Sequence, residues 1–416
     1  MAQKPEARQP LLNNVLLLFM LAMVLANMGG NMYGPLLPLY LKSLNASVVQ
    51  IGFFFTILQI FPLVLQILGG WISDSLGRLR SIALGAVAGV FSYIGLILAP
   101  TWQWLLLGEG LNAITRSLVA PSYGAFIAEQ SAEAHRSRVY GITETLFTVV
   151  AIVGPPLGGF LADNYGFKLM LVVAGVFYLL AAIIRVGMAR AAARGDEVKP
   201  QGLSLAGLRG NLGAMLGMIM AGGILTWILV TDGVRDVAFS LSFQLMPLYL
   251  QDFGGLTIQQ IGWLNSMFGI CNMATNIPAG WLADKWGERL AIVLGFLFQF
   301  AAMMVFLRAD GFWGYAVTWG LFGVGVALMA PAYQSLISKV VPSKLRGTAF
   351  GLLQTSLGIF SLPAPAIGAE LWTRFTPRLP FQLMAGAILA SIVPVWFKFK
   401  LPDRSETSPP DGQAAG

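Results

Sequence analysis

The residues of this chain best suited to chemistry are charged side chains that lie within long apolar stretches. Glu109, Asn112 and Arg116 are spaced i, i+3 and i+7, so on a helix they share one face and span about 10.5 Å. A charge at the middle of a bilayer costs at least about 3 kcal/mol, so such residues normally face a bundle interior and mark a transport path. The spacing predicts a polar stripe along one helix.

A second charged cluster consists of Asp232, Arg235 and Asp236, with the helical spacing i, i+3 and i+4. Arg235 can pair with one aspartate, and an acid left without a partner in a low-dielectric medium can bind a proton near neutral pH. We predict Asp236 as the first choice of proton carrier, Asp232 as the second and Glu109 as the third. Arg235 and Arg116 are the predicted charge partners. The alternative is a buried salt-bridge network that only fixes helix packing.

Two further charged residues within apolar stretches are expected near the membrane surface. Glu144 lies close to the start of its stretch, and Arg185 lies near the end of its stretch, where a long side chain can extend to the surface as an anchor. Uncharged polar and aromatic side chains complete the predicted substrate cavity, although interhelical hydrogen bonding is the alternative role for each. These candidates are Asn27, Asn31, Tyr33, Asn112, Tyr123, Trp227, Asn272, Tyr333 and Gln354.

The elements that must position these residues are membrane helices. The 416 residues are 56% hydrophobic and only 11% charged, with a mean hydropathy of +0.72, which is too apolar for a soluble chain of this size. Twelve apolar runs are each long enough to cross about 30 Å of hydrocarbon as a helix. The sequence therefore predicts an all-α membrane protein with twelve transmembrane helices.

The chain also repeats itself at an offset of 210 residues, or 209 in the first span of each half. Gly70 recurs as Gly280, and Asp236 aligns with Asn27, which is why Asp236 ranks first as the proton carrier. A repeat of this length in a membrane chain indicates two pseudo-symmetric six-helix bundles around a shared central site. The predicted units are an N-terminal bundle at 1–190, a cytoplasmic linker at 191–210, a C-terminal bundle at 211–400 and a disordered cytoplasmic tail at 401–416.

The net charge of +7 follows the membrane rather than a nucleic-acid surface. Most lysines and arginines fall in the loops on the side of the two termini, which predicts that both termini are cytoplasmic. In a bacterium this would be the inner membrane. The single cysteine excludes an intramolecular disulfide and a CxxC metal site, and the single histidine excludes a proton relay through paired histidines. We expect no metal site and no nucleic-acid partner.

Two short loops carry a family resemblance. The segment GGWISDSLGRLR at 69–80 and its degenerate copy AGWLADKWGER at 279–289 resemble the signature loops between spans 2 and 3 and between spans 8 and 9 of the major facilitator superfamily. In that family these loops latch the two halves together on the cytoplasmic side. The resemblance implies a cytoplasmic gate formed by Gly70, Asp74, Gly77, Arg78, Glu129 and Asp284. The alternative for the arginines is a simple positive-inside anchor.

A second resemblance lies in the fifth span, where GITETLFTVVAIVGPPLGG at 141–159 is similar to the motif of the family's proton-coupled antiporters, the drug-efflux branch. Small residues let helices approach closely and a proline bends the helix. The matching helix-bend residues are Gly154, Pro155, Gly158 and Gly159. Drug exporters of this family carry a membrane arginine near the position of Glu109, whereas here Arg116 lies two turns later.

Together these patterns predict a secondary transporter that works by alternating access and exports a small amphipathic or drug-like molecule in exchange for protons. Alternatives are a proton symporter or uniporter for a nutrient, a lipid or glycolipid translocator, and a non-transporting membrane sensor or scaffold. The sequence has no P-loop, so we expect neither ATP hydrolysis nor any other enzyme activity, and no cofactor. The expected partners are the substrate, protons and the bilayer, and the expected state is a monomer.

Overall fold

A computed structural model describes residues 13–131, 135–192, 224–341, 358 and 360–399. The secondary structure of these residues is helical. The helices are α1 (Asn14–Tyr33), α2 (Leu37–Ser43), α3 (Val48–Leu76), α4 (Arg78–Leu98), α5 (Trp104–Gln130), α6 (Arg136–Tyr165), α7 (Phe167–Ala192), α8 (Ile224–Ser242), α9 (Met246–Asp252), α10 (Ile258–Trp286), α11 (Glu288–Phe306), α12 (Gly311–Val340), α13 (Ala364–Arg374) and α14 (Leu379–Lys398).

The first and seventh spans are each broken at the same place. A 3-10 turn at Gly34–Leu36 joins α1 to α2, and a 3-10 turn at Phe243–Leu245 joins α8 to α9. A proline in the first turn of the following short helix suits both breaks, because proline lacks the amide hydrogen that an interior helical position would use. Counting each joined pair once, the described helices form twelve segments that run through the bundle, as the sequence predicts.

Within the described part of the chain, seven helical segments are long and apolar enough to cross a membrane. Several others contain the polar side chains that the sequence singles out, such as Glu109 and Arg116 in α5 and Asp232 and Asp236 in α8. Such groups are stable in a bilayer only when they face a protein interior, so the polar faces of α5 and α8 are expected to point into the bundle.

The repeat seen in the sequence is present in the structure. Gly85 of α4 packs against Val119 of α5, and Gly295 of α11 packs against Met329 of α12, each residue 210 positions after its counterpart. Gly77 and Gly287 open α4 and α11 with φ angles of 86° and 91°, a conformation that strongly favours glycine. The prediction of twelve helices in two pseudo-symmetric bundles is confirmed. The predicted domain boundaries remain predictions, since the linker and the tail lie outside the described residues.

The two halves meet at the end of the bundle where α2 finishes and α3 begins, which we name the distal end; α1 begins at the opposite, proximal end. A methyl group on Gly52 of α3 would lie 2.6 Å from the Pro365 carbonyl oxygen of α13, and one on Gly262 of α10 would collide with the Pro155 carbonyl oxygen of α6. The Ala366 amide donates a hydrogen bond to Thr56 Oγ1 (3.2 Å). Glycine thus brings the halves into backbone contact at this end.

Lys42 adds a polar contact between the halves at the distal end. Its Nζ donates to Gln251 Oε1 (3.0 Å) and forms an ion pair with Asp252. About a third of each charged side chain is exposed, so solvent screens this pair and its contribution to stability is modest. Its position, directly across the boundary between the halves, makes it a candidate for controlling how they separate.

Candidate functional site

A cavity of about 410 Å³ lies between the two halves of the molecule. Its wall combines side chains from both, which is the arrangement expected of a site reached alternately from each side. The N-terminal half supplies Tyr33, Phe55, Leu58, Gln59, Glu109 and Arg116, among others. The C-terminal half supplies Phe243, Gln244, Met246, Ile261, Asn265 and Trp319. The lining is thus mainly apolar and aromatic, with few charged groups.

Glu109 is the buried acid of this cavity, with only 3% of its surface exposed. The Tyr33 hydroxyl donates to Glu109 Oε1 (2.9 Å), and Asn112 Nδ2 contacts both Glu109 Oε2 (3.1 Å) and the Tyr33 hydroxyl oxygen (2.8 Å). Asn112 reaches the acid because it lies one helical turn further along α5. Tyr33 reaches it from the last residue of α1, just before the 3-10 turn. The three side chains form a closed hydrogen-bonded triangle around one carboxylate.

Arg116 shares the same face of α5 but is exposed to the cavity space. It lines this cavity and also a second one, of about 540 Å³, that lies inside the N-terminal half. The predicted polar stripe of α5 is therefore divided, with the acid held by hydrogen bonds at one end and the guanidinium facing open volume at the other.

The second cavity brings together several of the residues that the sequence singles out: Asn27, Asn31, Tyr33, Asn112, Arg116 and Tyr123. Asn27 and Asn31 each donate their amide to a carbonyl one turn earlier, to Met23 (2.8 Å) and Asn27 (2.9 Å) respectively. Their side-chain oxygens remain as acceptors. Gly34 and Pro35 line both cavities along with Tyr33 and Arg116, so the two volumes are neighbours.

Arg185 differs from its expected role as a surface anchor. It is 2% exposed, so it does not extend to the membrane surface, and it lines the second cavity. Its Nη2 lies 3.0 Å from Met23 Sδ, and its guanidinium carbon lies 5.8 Å from the centre of the Tyr178 ring. The apolar helices around α7 leave the side chain no route to the surface, so the guanidinium points into the bundle.

The charged cluster of the seventh span lies away from both cavities. Arg235 Nη2 pairs with Asp232 Oδ1 at 2.5 Å, and the Arg235 guanidinium lies 5.9 Å from the ring centre of Tyr333. Asp236 is half-buried and forms no ion pair with a described residue. Asp232 and Arg235 thus have the geometry of the packing alternative, and among the described residues Asp236 has no ion-pair partner.

The other predicted cavity residues lie apart. Trp227 lies under Lys398, whose Nζ is 5.4 Å from the ring centre, and Asn272 donates to the Gly323 carbonyl (3.2 Å). Glu144 is exposed, as expected of an interfacial residue. Gln354 lies outside the described residues.

Of the predicted gate residues, Arg78 and Glu129 come together, with 3.6 Å between Nε and Oε1. Asp284 is exposed. Gly70 and Asp74 lie within α3, but the side chain of Asp74 lies outside the described part of the structure. The gate therefore remains a prediction.

The fifth-span motif lies where helices cross. A methyl group on Gly154 would lie 2.7 Å from Asn31 Cβ, and one on Gly158 would collide with the Met32 carbonyl oxygen of α1. One on Gly159 would lie 2.9 Å from the Ile258 carbonyl oxygen of the other half. With Pro155 against Gly262, the motif brings α6 close to α1 on one side and to α10 on the other.

Sequence reasoning missed several residues that the fold brings into the site. Tyr93 and Tyr178 form a row between Tyr33 and Arg185: the Tyr33 and Tyr93 rings meet edge to face with centres 5.7 Å apart, and the Tyr93 and Tyr178 rings are tilted with centres 5.1 Å apart. A signal for part of this row was present, since Tyr178 and Arg185 are seven residues apart and share a helix face. Tyr93 carries no comparable signal.

A duplicated helical bundle with a cavity between its halves that contains a buried acid is the architecture of a secondary transporter. The chain matches the family model of the Major Facilitator Superfamily over residues 19–254 and 228–415, and it belongs to that family. It is a multi-pass integral membrane protein.

The relatives and structural neighbours of the chain are transporters. It is 26% identical over 381 residues to a Na(+), Li(+), K(+)/H(+) antiporter of Planococcus maritimus, covering 85% of this chain and 88% of the relative. It is 24% identical over 378 residues to multidrug resistance protein MdtG of Dickeya zeae, covering 88% and 90%. Its fold is similar to a crystal structure of a bacterial homologue of the iron transporter ferroportin, with a TM-score of 0.74, 15% identity and coverage of 92% and 98%.

Proposed function

We propose that this transporter exports a small amphipathic molecule in exchange for protons, and that Glu109 is the acid that carries the proton. One observation carries the proposal: a buried carboxylate lies in the wall of a cavity that both halves form. The antiporter and the multidrug resistance protein among the relatives support it. The aromatic and aliphatic lining suits a substrate with a large apolar part.

The closed distal end supports alternating access. Backbone contacts through Gly52 and Gly262, together with the Lys42 contact, hold the two halves together on that side of the cavity. The excess of basic residues in the loops at the proximal end supports a cytoplasmic position for that end, and on this basis we infer an inward-facing state with both termini cytoplasmic. Transport to the other side then requires the distal contacts to part and the proximal ends of the helices to close.

Proton transfer follows from the triangle around Glu109. When the carboxylate is charged, the Tyr33 hydroxyl and the Asn112 amide donate to its two oxygens and stabilise it. When it is protonated, one oxygen becomes a donor and the triangle must rearrange. The same cavity can therefore change its hydrogen bonding and its charge together, which couples proton binding to what the cavity accepts.

Proteoliposomes with a pH-sensitive dye inside test the assignment. A thermal-shift screen of neutral, cationic and anionic amphiphiles supplies the substrate. Glu109→Gln should abolish substrate-driven proton movement, whereas Asp236→Asn should reduce it little and Glu144→Gln, at the exposed interface, not at all. Counterflow of labelled substrate, which needs no net proton movement, should survive in Glu109→Gln. Unchanged proton movement in Glu109→Gln would remove the assignment, and loss in Asp236→Asn alone would transfer it to the seventh span.

Exchange of a monovalent cation for protons is a second candidate. The antiporter relative favours it, and the Glu109 carboxylate and the Tyr33 hydroxyl oxygen are hard ligands. The exposed Arg116 in the same cavity opposes a bound cation. Adding sodium, lithium or potassium to the same proteoliposomes separates the two: proton movement driven by these ions without any amphiphile would favour cation exchange.

A further inference from the structure

The environment of Arg185 is unusual for a buried guanidinium. The side chain is 2% exposed, its Nη2 lies 3.0 Å from a methionine sulfur, and its guanidinium carbon lies 5.8 Å from the Tyr178 ring centre; both neighbours are uncharged and cannot neutralise the charge. Its Nε atom has no hydrogen-bond partner among the described residues. The described ion pairs of the chain do not include Arg185. A buried charge in this state is costly unless something else compensates it.

The wall of the cavity that Arg185 faces carries positive charge without negative charge from its described residues. An empty packing defect would not be expected to have such a wall. Arg185 and Arg116 both line it, and no aspartate or glutamate is among the described residues of its wall. The acid of the site, Glu109, lines the other cavity and is already held by two donors. Two guanidinium groups therefore face one volume of about 540 Å³ without a protein counter-ion there.

We propose that this cavity inside the N-terminal half binds the anionic head group of an amphipathic substrate, a carboxylate or a phosphate ester, with Arg185 as the principal contact and Arg116 as the second. A planar guanidinium donates two parallel hydrogen bonds to such a group. This inference rests on the proposed transport function, and it narrows the substrate to amphipathic anions.

The walls also accommodate the rest of such a molecule. Met23, Val119 and Phe147 supply apolar surface in the same cavity, and Tyr178 and Tyr123 supply hydroxyl groups. Arg116 and Tyr33 lie at the boundary with the first cavity, which contains Phe55 and Trp319. A ligand with its head at Arg185 can extend its apolar part past Arg116 into the space between the halves.

Binding of a matched acid and amide tests the proposal. The full-length protein in phosphatidylcholine nanodiscs is incubated with radiolabelled naphthylacetate or with neutral naphthylacetamide. We expect the acid to bind at least about tenfold more tightly than the amide, and Arg185→Gln to remove that preference, since charge-assisted bonds are the stronger class. Arg190→Gln, an exposed arginine on the same helix, is the control and should bind like the unchanged protein. Equal binding of acid and amide, or no binding of the acid, would overturn the proposal.

Two further arms exclude trivial explanations. Arg185→Lys keeps the charge and should retain part of the preference for the acid over the amide. If the Arg185→Gln variant were damaged only because the packing of the arginine is lost, it would instead lose binding of the acid and the amide alike. Nanodiscs with phosphatidylglycerol show whether a lipid head group is the natural occupant. An anionic lipid that binds at Arg185 would compete with naphthylacetate in the unchanged protein and would fail to compete in Arg185→Gln. Proton movement that depends on Glu109 is measured separately, so failure of the anion site leaves proton exchange standing, and failure of proton exchange leaves the binding result intact.

Discussion

The fourth and tenth spans, α5 and α12, occupy equivalent places in the two halves but carry opposite chemistry. In α5 the stripe that faces the cavities contains Glu109, Asn112 and Arg116. The residues 210 positions later in α12 are Trp319, Phe322 and Val326. Trp319 lines the same central cavity as Glu109. Helix α5 thus supplies the acid and the guanidinium, whereas α12 supplies an apolar side chain at the equivalent position.

The scaffold under this difference is the same in both halves. Gly85 packs against Val119 next to the polar stripe, and Gly295 packs against Met329 next to the apolar one. Small residues at the helix crossings therefore fix the architecture, whereas the cavity-facing positions are free to differ. In this chain a shared fold does not imply shared roles for equivalent positions.

The largest expected effect is a difference between substitutions at equivalent positions of α5 and α12. Glu109→Gln should reduce proton-coupled transport to near background, because an amide cannot carry the proton, whereas Trp319→Phe should keep coupling and raise KM less than about tenfold, since only apolar contact is lost. Initial rates of substrate-driven proton movement in proteoliposomes give both values. A loss of coupling in Trp319→Phe equal to that in Glu109→Gln would contradict the division of roles.

The second prediction concerns the shared scaffold. A methyl group at Gly158 or at its counterpart Gly368 meets a backbone carbonyl, of Met32 and Leu241 respectively, so alanine at either place should lower the free energy of unfolding by about 1–3 kcal/mol. Thermal melts in detergent measure this. Gly187→Ala, where nothing lies within 4 Å, is the control. A large effect in one half and none in the other would mean that the helix crossings are not equivalent.

The third prediction uses an ion pair whose signs are exchanged between the halves. Arg78 and Glu129 pair in the first half, and Glu288 and Lys339 occupy the positions 210 residues later and pair in the second. The Glu129 side chain is 56% exposed, whereas that of Glu288 is 6% exposed and also accepts from Ser335 Oγ (2.7 Å).

Because a buried acceptor is costlier to disturb than an exposed one, Glu288→Gln should lower the free energy of unfolding by about 1–2 kcal/mol. Glu129→Gln should lower it by less than about 1 kcal/mol. Chemical denaturation of the two variants in the same detergent provides the comparison, and equal losses would show that burial does not set the difference.

The smallest expected effect is at the distal boundary. Asp252→Asn removes the charge that faces Lys42, and since the pair is partly exposed the closed state should lose about 0.2–1 kcal/mol. The distance between spin labels at Ser47→Cys and Thr257→Cys is measured in a Cys271→Ser background. In Asp252→Asn, a larger fraction of the molecules should show the longer distances of the separated state. The double exchange Lys42→Asp with Asp252→Lys should restore the original distribution, and high salt should reduce the difference between the variants.

Much of the fold could be predicted from the sequence. The length of the apolar runs and the glycines with positive φ are local signals, and the fixed repeat offset is found by comparing the sequence with itself. The match between Gly77 and Gly287 is one example. The residues of the site were harder to rank. The alignment with Asn27 ranks Asp236 first, whereas Glu109, ranked third, is the acid among the described lining residues of the cavities, and which acid carries the proton stays a prediction.

The burial of the Arg185 side chain also could not be predicted from the sequence. Its distance from the end of the apolar stretch favours a surface anchor, but the direction of a side chain on a helix depends on which neighbours pack around it. Met23 of α1 is remote in sequence and lies against the guanidinium. Only the assembled bundle shows that this face of α7 points inward.

The contact of Lys42 with Gln251 has a consequence for how such a molecule can be built. Gln251 takes the place in the second half that Lys42 takes in the first, so this position meets its own counterpart at the pseudo-twofold axis. In a pair of identical separate subunits, two lysines would face each other there and repel. A lysine that donates to a different residue at the equivalent position therefore requires that the two halves differ in sequence there, as they do in this single polypeptide.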